Sequence, residues 1–292
     1  MAAMTAMVKT EAYLDSTPLL SNPAALRERA AADGYLYFKR LIDPKAVLNV
    51  RRQVLEVAKK HGWLDESAPL MDGIAKKGVC FVESVHPEWV PYYNDILRIR
   101  DFHALSLHPS VIGMYEKLFG ETCVPHSRNI CRTIFPQNTK FTTPAHQDFV
   151  HIKGTRDTWT MWIPGGDCPS ALGGLAVAPG SHKLGELKTH AAYGAGGSGV
   201  EMDRESRWVL GDLECGDVLT FHSLTVHQGR DNLTPNRVRI SFDFRYQPLS
   251  HPIARSSMLP HMGREGWDTI YAGWPANDAV RYYWKKWNLN YV

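Results

Sequence analysis

The stretch Arg237-Val238-Arg239-Ile240-Ser241-Phe242-Asp243-Phe244-Arg245-Tyr246 alternates polar and apolar residues without a break. Successive side chains of a strand point to opposite faces. Val238, Ile240, Phe242, Phe244 and Tyr246 therefore make an apolar face, and the arginines, Ser241 and Asp243 a polar one. Upstream, from residue 123, short β-rich runs alternate with Gly, Pro and Asp turns. Residues 124–135, 149–152, 159–163, 175–178 and 218–221 are predicted strands. Many short strands at such spacing predict a mainly β fold with flanking helices, a sandwich or jelly roll.

The first third reads differently. Ser21-Asn22-Pro23 caps a helix that stops at Gly34, and Asp43-Pro44 starts a second that ends at Gly62. Tyr35–Phe38 is a short aromatic strand, and residues 110–119 carry apolar side chains at helical spacing before Gly120. Residues 64–92 read as loop. One domain over residues 1–292 is expected. It has a mainly helical part (1–122), a jelly-roll core (123–247) and an aromatic-rich tail (248–292), whose residues 267–292 read as a helix packed on the barrel or, alternatively, as a dimer interface. The Gly-rich insert 191–199 reads as a mobile surface loop, with no phosphate-loop pattern.

Of 292 residues, 44% are hydrophobic and 22% charged, the proportions of a globular protein. A net charge of +3 without a Lys/Arg run points away from nucleic acid and from anionic membrane surfaces. No apolar stretch is long enough for a membrane span. Residues 1–11 lack a signal-peptide pattern, and five scattered cysteines without a C-x-x-C pair suit reduced thiols. A cytoplasmic monomer or homodimer is expected.

In His146-Gln147-Asp148, strand geometry puts an imidazole and a carboxylate on one face. The same alternation turns His151 away from them. The segment from Gly216 to Gly229 offers a third donor in His222 or His227. Two histidines and one carboxylate form the facial triad of non-haem iron(II) oxygenases, which leaves positions open for a co-substrate and O2. A structural zinc site would close all four positions.

Around this constellation the chain resembles the phytanoyl-CoA dioxygenase-like family of iron(II)/2-oxoglutarate-dependent oxygenases. The matching stretches are His146-Gln147-Asp148, Trp162 with Asp167, Gly173-Gly174-Leu175 through Pro179-Gly180-Ser181-His182, Gly216-Asp217 through His222 to His227-Gln228-Gly229, Asn232, and residues 237–246. The resemblance implies a double-stranded β-helix, a cupin-like jelly roll, with His227 rather than His222 as the third ligand. It leaves His182 a hydrogen-bonding role in its turn. It also implies an arginine on the last core strand for the distal carboxylate of 2-oxoglutarate, bound by a planar fork. Arg239 with Ser241 is expected to fill that role, with Arg237 as the alternative. Arg237 or Arg245 is expected in a solvated ion-pair ladder with Asp243. Trp162 is expected as a wall against the co-substrate, and Thr143 and Arg132 as weaker contacts. Related halogenases lack the carboxylate, so Asp148 implies oxidation of a C–H bond, with release of succinate and CO2.

Two other readings remain at this point: a cupin-like metal-dependent isomerase, and a non-catalytic jelly-roll binding protein. Arg239 speaks against the first and the complete triad against the second. The substrate is expected to be a small molecule such as a secondary metabolite. Its specificity is expected in loops 64–92, 183–207 and 247–266.

Overall fold

Residues 239–246 of the alternating run lie in the longest strand among the described residues, which continues to Pro248 and is buried at all ten positions; Arg237 and Val238 precede it. In this computed structural model, residues 10–83, 85–139, 141–203 and 205–292 are described. Most of the stretch read as lacking a signal peptide, residues 1–9, lies outside the described residues.

Twelve strands follow in chain order: β1 (Thr10–Glu11), β2 (Tyr35–Phe38), β3 (Cys123–Pro125), β4 (Ile130–Ile134), β5 (Trp159–Pro164), β6 (Leu175–Val177), β7 (Thr189–Ala191), β8 (Ser198–Val200), β9 (Trp208–Val209), β10 (Val218–His222), β11 (His227–Gly229) and β12 (Arg239–Pro248). The major sheet runs β2-β10-β5-β12-β3, with β4 also on β12; the minor sheet runs β1-β9-β6-β11. Together they form a jelly roll. The helices are α1 (Pro23–Asp33), α2 (Pro44–Lys60), α3 (Trp89–Leu97), α4 (Arg100–Leu105), α5 (Pro109–Phe119), α6 (Phe149–Ile152) and α7 (Trp267–Ile270).

The major sheet has two buried faces. Its outer face, with Met161, Ile163, Ile240, Phe242, Phe244 and Tyr246, packs on the helical layer. Phe102 of α4 sits 5.7 Å from both Phe242 and Phe244, ring to ring. Each large side chain so buried contributes roughly 2–3 kcal/mol. The inner face carries Tyr35, Trp162, Leu219 and Phe221 against Leu175, Val177 and Val209 of the minor sheet. The strand register puts Trp162 opposite Asp243, Thr160 opposite Arg245, and Arg132 opposite Ser241. The polar stripe of β12 is thus lined up inside the roll.

Helix signals in the sequence are realised. The Asn22 side chain accepts a hydrogen bond from the Ala25 amide, and Gly34 closes α1 at φ +69°. Only glycine suits Gly34, since a Cβ there would meet His182 Nδ1 at 2.2 Å. Other expectations need correction. Residues 149–152 form a helical turn, not a strand; a short apolar run does not distinguish the two. The predicted strand 124–135 is two strands, broken at 126–129. The Gly-rich insert is the turn of the β7–β8 hairpin rather than a structureless loop. The tail holds, among the described residues, only the four-residue α7 and two 3-10 turns, and packs through stacked rings such as Trp267 on Tyr271. No helix among the described residues is long and apolar enough to cross a membrane.

Candidate active site

His146 and His227 face each other across an antiparallel bridge, with reciprocal backbone hydrogen bonds of 3.0 and 3.1 Å. Their rings lie 4.2 Å apart, centre to centre. Each ring is oriented by a carbonyl two residues upstream: His146 Nδ1 donates to Pro144 O (2.8 Å) and His227 Nδ1 to Thr225 O (3.0 Å). A neutral imidazole carries one proton, so both Nε2 atoms hold free lone pairs. They point at Asp148 Oδ1, from 3.5 and 3.8 Å. Ligand atoms of His146, Asp148 and His227 all lie within 4.8 Å of one another, a donor set that could hold a metal ion.

Asp148 does not sit in an extended strand. Its backbone is helical (φ −69°, ψ −25°), at the start of α6. A bridge residue followed by a helical turn still brings His146 and Asp148 together. The same turn swings His151 back toward the site, its ring 6.3 Å from that of His146, which corrects the expectation that it faces away.

The second carboxylate oxygen, Oδ2, accepts a hydrogen bond from Thr160 Oγ1 at 2.5 Å and lies 3.6 Å from Arg245 Nη2. Burial opposes ionisation of Asp148. Arg245, His146 and His227 outweigh it and hold the carboxyl well below the usual carboxylate range. Burial, with His146 beside it, drives His227 down to about 3, so it stays neutral. Arg245 is 8% exposed and is therefore no member of a solvated ladder. The alternation placed it on the polar face; what covers that face was not legible.

Behind the donor set lies a narrow inner cavity walled by Trp162, Leu175, Phe221 and Arg239. Arg239 is 5% exposed, its Nε has no hydrogen-bond partner, and Nη1 lies 3.4 Å from Ser241 Oγ. Its guanidinium stands 5.9 Å from the Trp162 ring. Asp243 and Asp148 pair with Arg132 and Arg245, not with Arg239. A buried cation without its own anion is costly, and a carboxylate ligand would relieve that cost. Arg237 precedes β12 and is only partly buried.

In front of the donor set opens a cavity of about 460 Å³. All three loops named above reach it, through Val85, Gly194–Gly197 and Ser257 among others. Arg132 and Thr143 line both cavities. His222 lies elsewhere, in an outer groove with His182 and His251, 3.7 Å from Asp157. His182 donates to Ala31 O, in keeping with a hydrogen-bonding role. Glu83, His126, Arg128 and His261 also line the large cavity; they sit in loops or irregular segments where no periodicity or motif marks them.

Residues 31–241 match the family model for phytanoyl-CoA dioxygenase (PhyH). The chain belongs to that family. As a phytanoyl-CoA dioxygenase-family member it is an enzyme, an oxygenase of the non-haem iron, 2-oxoglutarate-dependent class. It is 29% identical over 263 residues to the 1-deoxypentalenic acid 11-beta-hydroxylase of Streptomyces exfoliatus, covering 85% of this chain and 89% of that one. The protein of the same name from Streptomyces arenae is 28% identical over 267 residues, with the same coverage. Among solved structures, the epimerase SnoN in complex with Fe3+, alpha ketoglutarate and nogalamycin RO superposes with a TM-score of 0.56. It is 19% identical and covers 80% of this chain and 87% of its own. That likeness speaks to the shared fold of the family.

Proposed function

We propose that this family member hydroxylates a small secondary metabolite, with iron(II) held by His146, Asp148 and His227 and 2-oxoglutarate held by Arg239, Ser241 and Trp162. The observation that carries this reading is the pairing of an open three-donor set with a buried guanidinium that lacks an anion, in adjoining cavities. The name shared by the two Streptomyces relatives supports hydroxylation.

When bound, iron(II), 2-oxoglutarate and O2 together supply the power to oxidise an unactivated C–H bond, with succinate and CO2 released. The chain's own residues bind, orient and exclude water. Pro144 and Thr225 carbonyls fix the imidazoles so that Nε2 is the donor atom. Thr160 and Arg245 occupy Asp148 Oδ2, which leaves Oδ1 for the metal. Arg239 offers a fork to the distal carboxylate, and the Trp162, Leu175 and Phe221 side chains keep that end dry. The isosteric Thr160→Val frees Oδ2 and is expected to weaken iron(II) binding about 10-fold, measured by competition with a chromogenic chelator.

The reading takes the chain as one cytoplasmic domain acting as a monomer or homodimer, without nucleic-acid or membrane partners. A core cluster continuing from Leu26 to Trp284 supports the single domain. The deciding experiment supplies iron(II), 2-oxoglutarate and O2 with a panel of small secondary metabolites, alcohols among them, and with 1-deoxypentalenic acid for comparison with the two relatives. Succinate release should rise in step with a product heavier by one oxygen atom. Release at the same rate with and without every compound would sink the reading.

A further inference from the structure

The large cavity has a stretch of wall that the metal and co-substrate chemistry leaves unused. Glu83 and His261 meet there, with side chains 14% and 10% exposed. Glu83 Oε2 accepts a hydrogen bond from Arg132 at 3.0 Å, and Arg132 also donates to Asp243 at 2.8 Å. Glu83 Oε1 has no hydrogen bond among the described residues; His261 Nε2 stands 4.0 Å from it.

The neighbours of His261 decide where its proton sits. Tyr93 Oη has no hydrogen-bond acceptor other than this ring among the described residues. The phenol therefore gives its own proton to His261 Nδ1, 2.6 Å away. With Nδ1 accepting, the ring proton is on Nε2, the nitrogen turned toward Glu83. Burial, then Arg132, Arg128 and Arg245, hold the imidazole well below its usual range, so it carries that one proton. Burial raises the Glu83 carboxyl, and Arg132 opposes the rise.

A gap of 4.0 Å is too long for a direct hydrogen bond. One oxygen about 2.8 Å from each end fits across it. That oxygen must accept from Nε2–H and donate to a carboxylate. An alcohol does both. A ketone or ether answers the histidine but leaves a buried carboxylate oxygen unpaired. An ammonium group meets the carboxylate but faces the histidine with a second donor, and a carboxylate is repelled by Glu83.

We propose that Glu83 and His261 form a hydroxyl-reading subsite, so that the substrate is an alcohol docked by its hydroxyl on this wall. The subsite deepens the hydroxylase reading and rests on it for the purpose of the docking, though not for the binding itself.

The test is equilibrium binding by calorimetry to the full-length protein, oxygen excluded, with and without iron(II) and 2-oxoglutarate. The probes are the alcohol–ketone pairs borneol with camphor and menthol with menthone. At least one alcohol is expected to bind about 10-fold or more tightly than its ketone. Glu83→Gln, whose amide can donate to a carbonyl, should erase that preference. Tyr93→Phe keeps both cavity groups but frees the imidazole to move its proton to Nδ1, and should shrink the preference too. A purely structural role for these residues would not move the alcohol-to-ketone ratio. No alcohol outbinding its ketone, or a ratio unchanged in Glu83→Gln, overturns the subsite. Succinate release, measured in parallel, reports separately on the hydroxylase reading: it can fail while the alcohol preference stands, and the reverse.

Discussion

Alanine in place of His146, Asp148 or His227 is expected to abolish substrate-dependent succinate formation, a loss of at least about 10³-fold, or roughly 4 kcal/mol of transition-state stabilisation. Metal content after anaerobic loading with iron(II) should fall to background in each variant. The three differ in what they leave behind. Asp148→Ala strands the Arg245 guanidinium, 3.6 Å from the missing carboxylate and 8% exposed, so it should also destabilise the fold by about 3 kcal/mol. His227→Ala leaves no orphaned charge, and its stability loss should be the smaller. His222→Ala is the control. Its ring lies in the outer groove beside Asp157, so iron loading should match the natural chain. Iron lost from His222→Ala but retained by His227→Ala would reverse the assignment.

Arg239→Met is expected to raise the KM for 2-oxoglutarate by about 30-fold or more, since removing one partner of a buried charge pair costs about 2–5 kcal/mol. The effect should fall mainly on KM, because Arg239 lies behind the donor set rather than on it. Arg239→Lys keeps the charge and loses the planar fork, and should land between the two. Arg237→Ala should barely change the KM: Arg237 lies outside β12 and is partly exposed. Steady-state kinetics at varied 2-oxoglutarate separates these cases. A KM unchanged in Arg239→Met would move the anchor elsewhere, with Arg245 next to be tried.

Much of this was legible along one strand. The alternation in residues 237–246 gave both the fold class and the shared face of Arg239, Ser241, Asp243 and Arg245. It could not say what lies over that face, so it left either Arg237 or Arg245 to a solvated ladder, and the structure puts Arg245 beside Asp148. His146 and Asp148 come together by a route that strand periodicity did not describe. The backbone passes from a bridge into a helical turn, and that turn also redirects His151. The division between His222 and His227 is tertiary: both lie in one segment, but the turn between them sends one ring outward and the other inward. Glu83, Arg128 and His261 left no trace in pattern or motif. They meet only because loops far apart in sequence close over the same opening.

The β7–β8 hairpin contributes Gly194, Ala195, Gly196 and Gly197 to the rim of the large cavity. Almost no side chain faces the ligand space there; the wall is main chain. Gly194 (φ +137°) rests so near Thr142 that a Cβ would stand 2.3 Å from its carbonyl oxygen, and Gly196 and Gly197 also take positive φ. Exchange of the three glycines along this rim can therefore only remove room or break the turn. For anyone reshaping the enzyme toward new compounds, point mutation has little to work with at the hairpin. Changes in its length are the available lever there, while single substitutions belong elsewhere in the lining, at Val85, Ile130 and Met262.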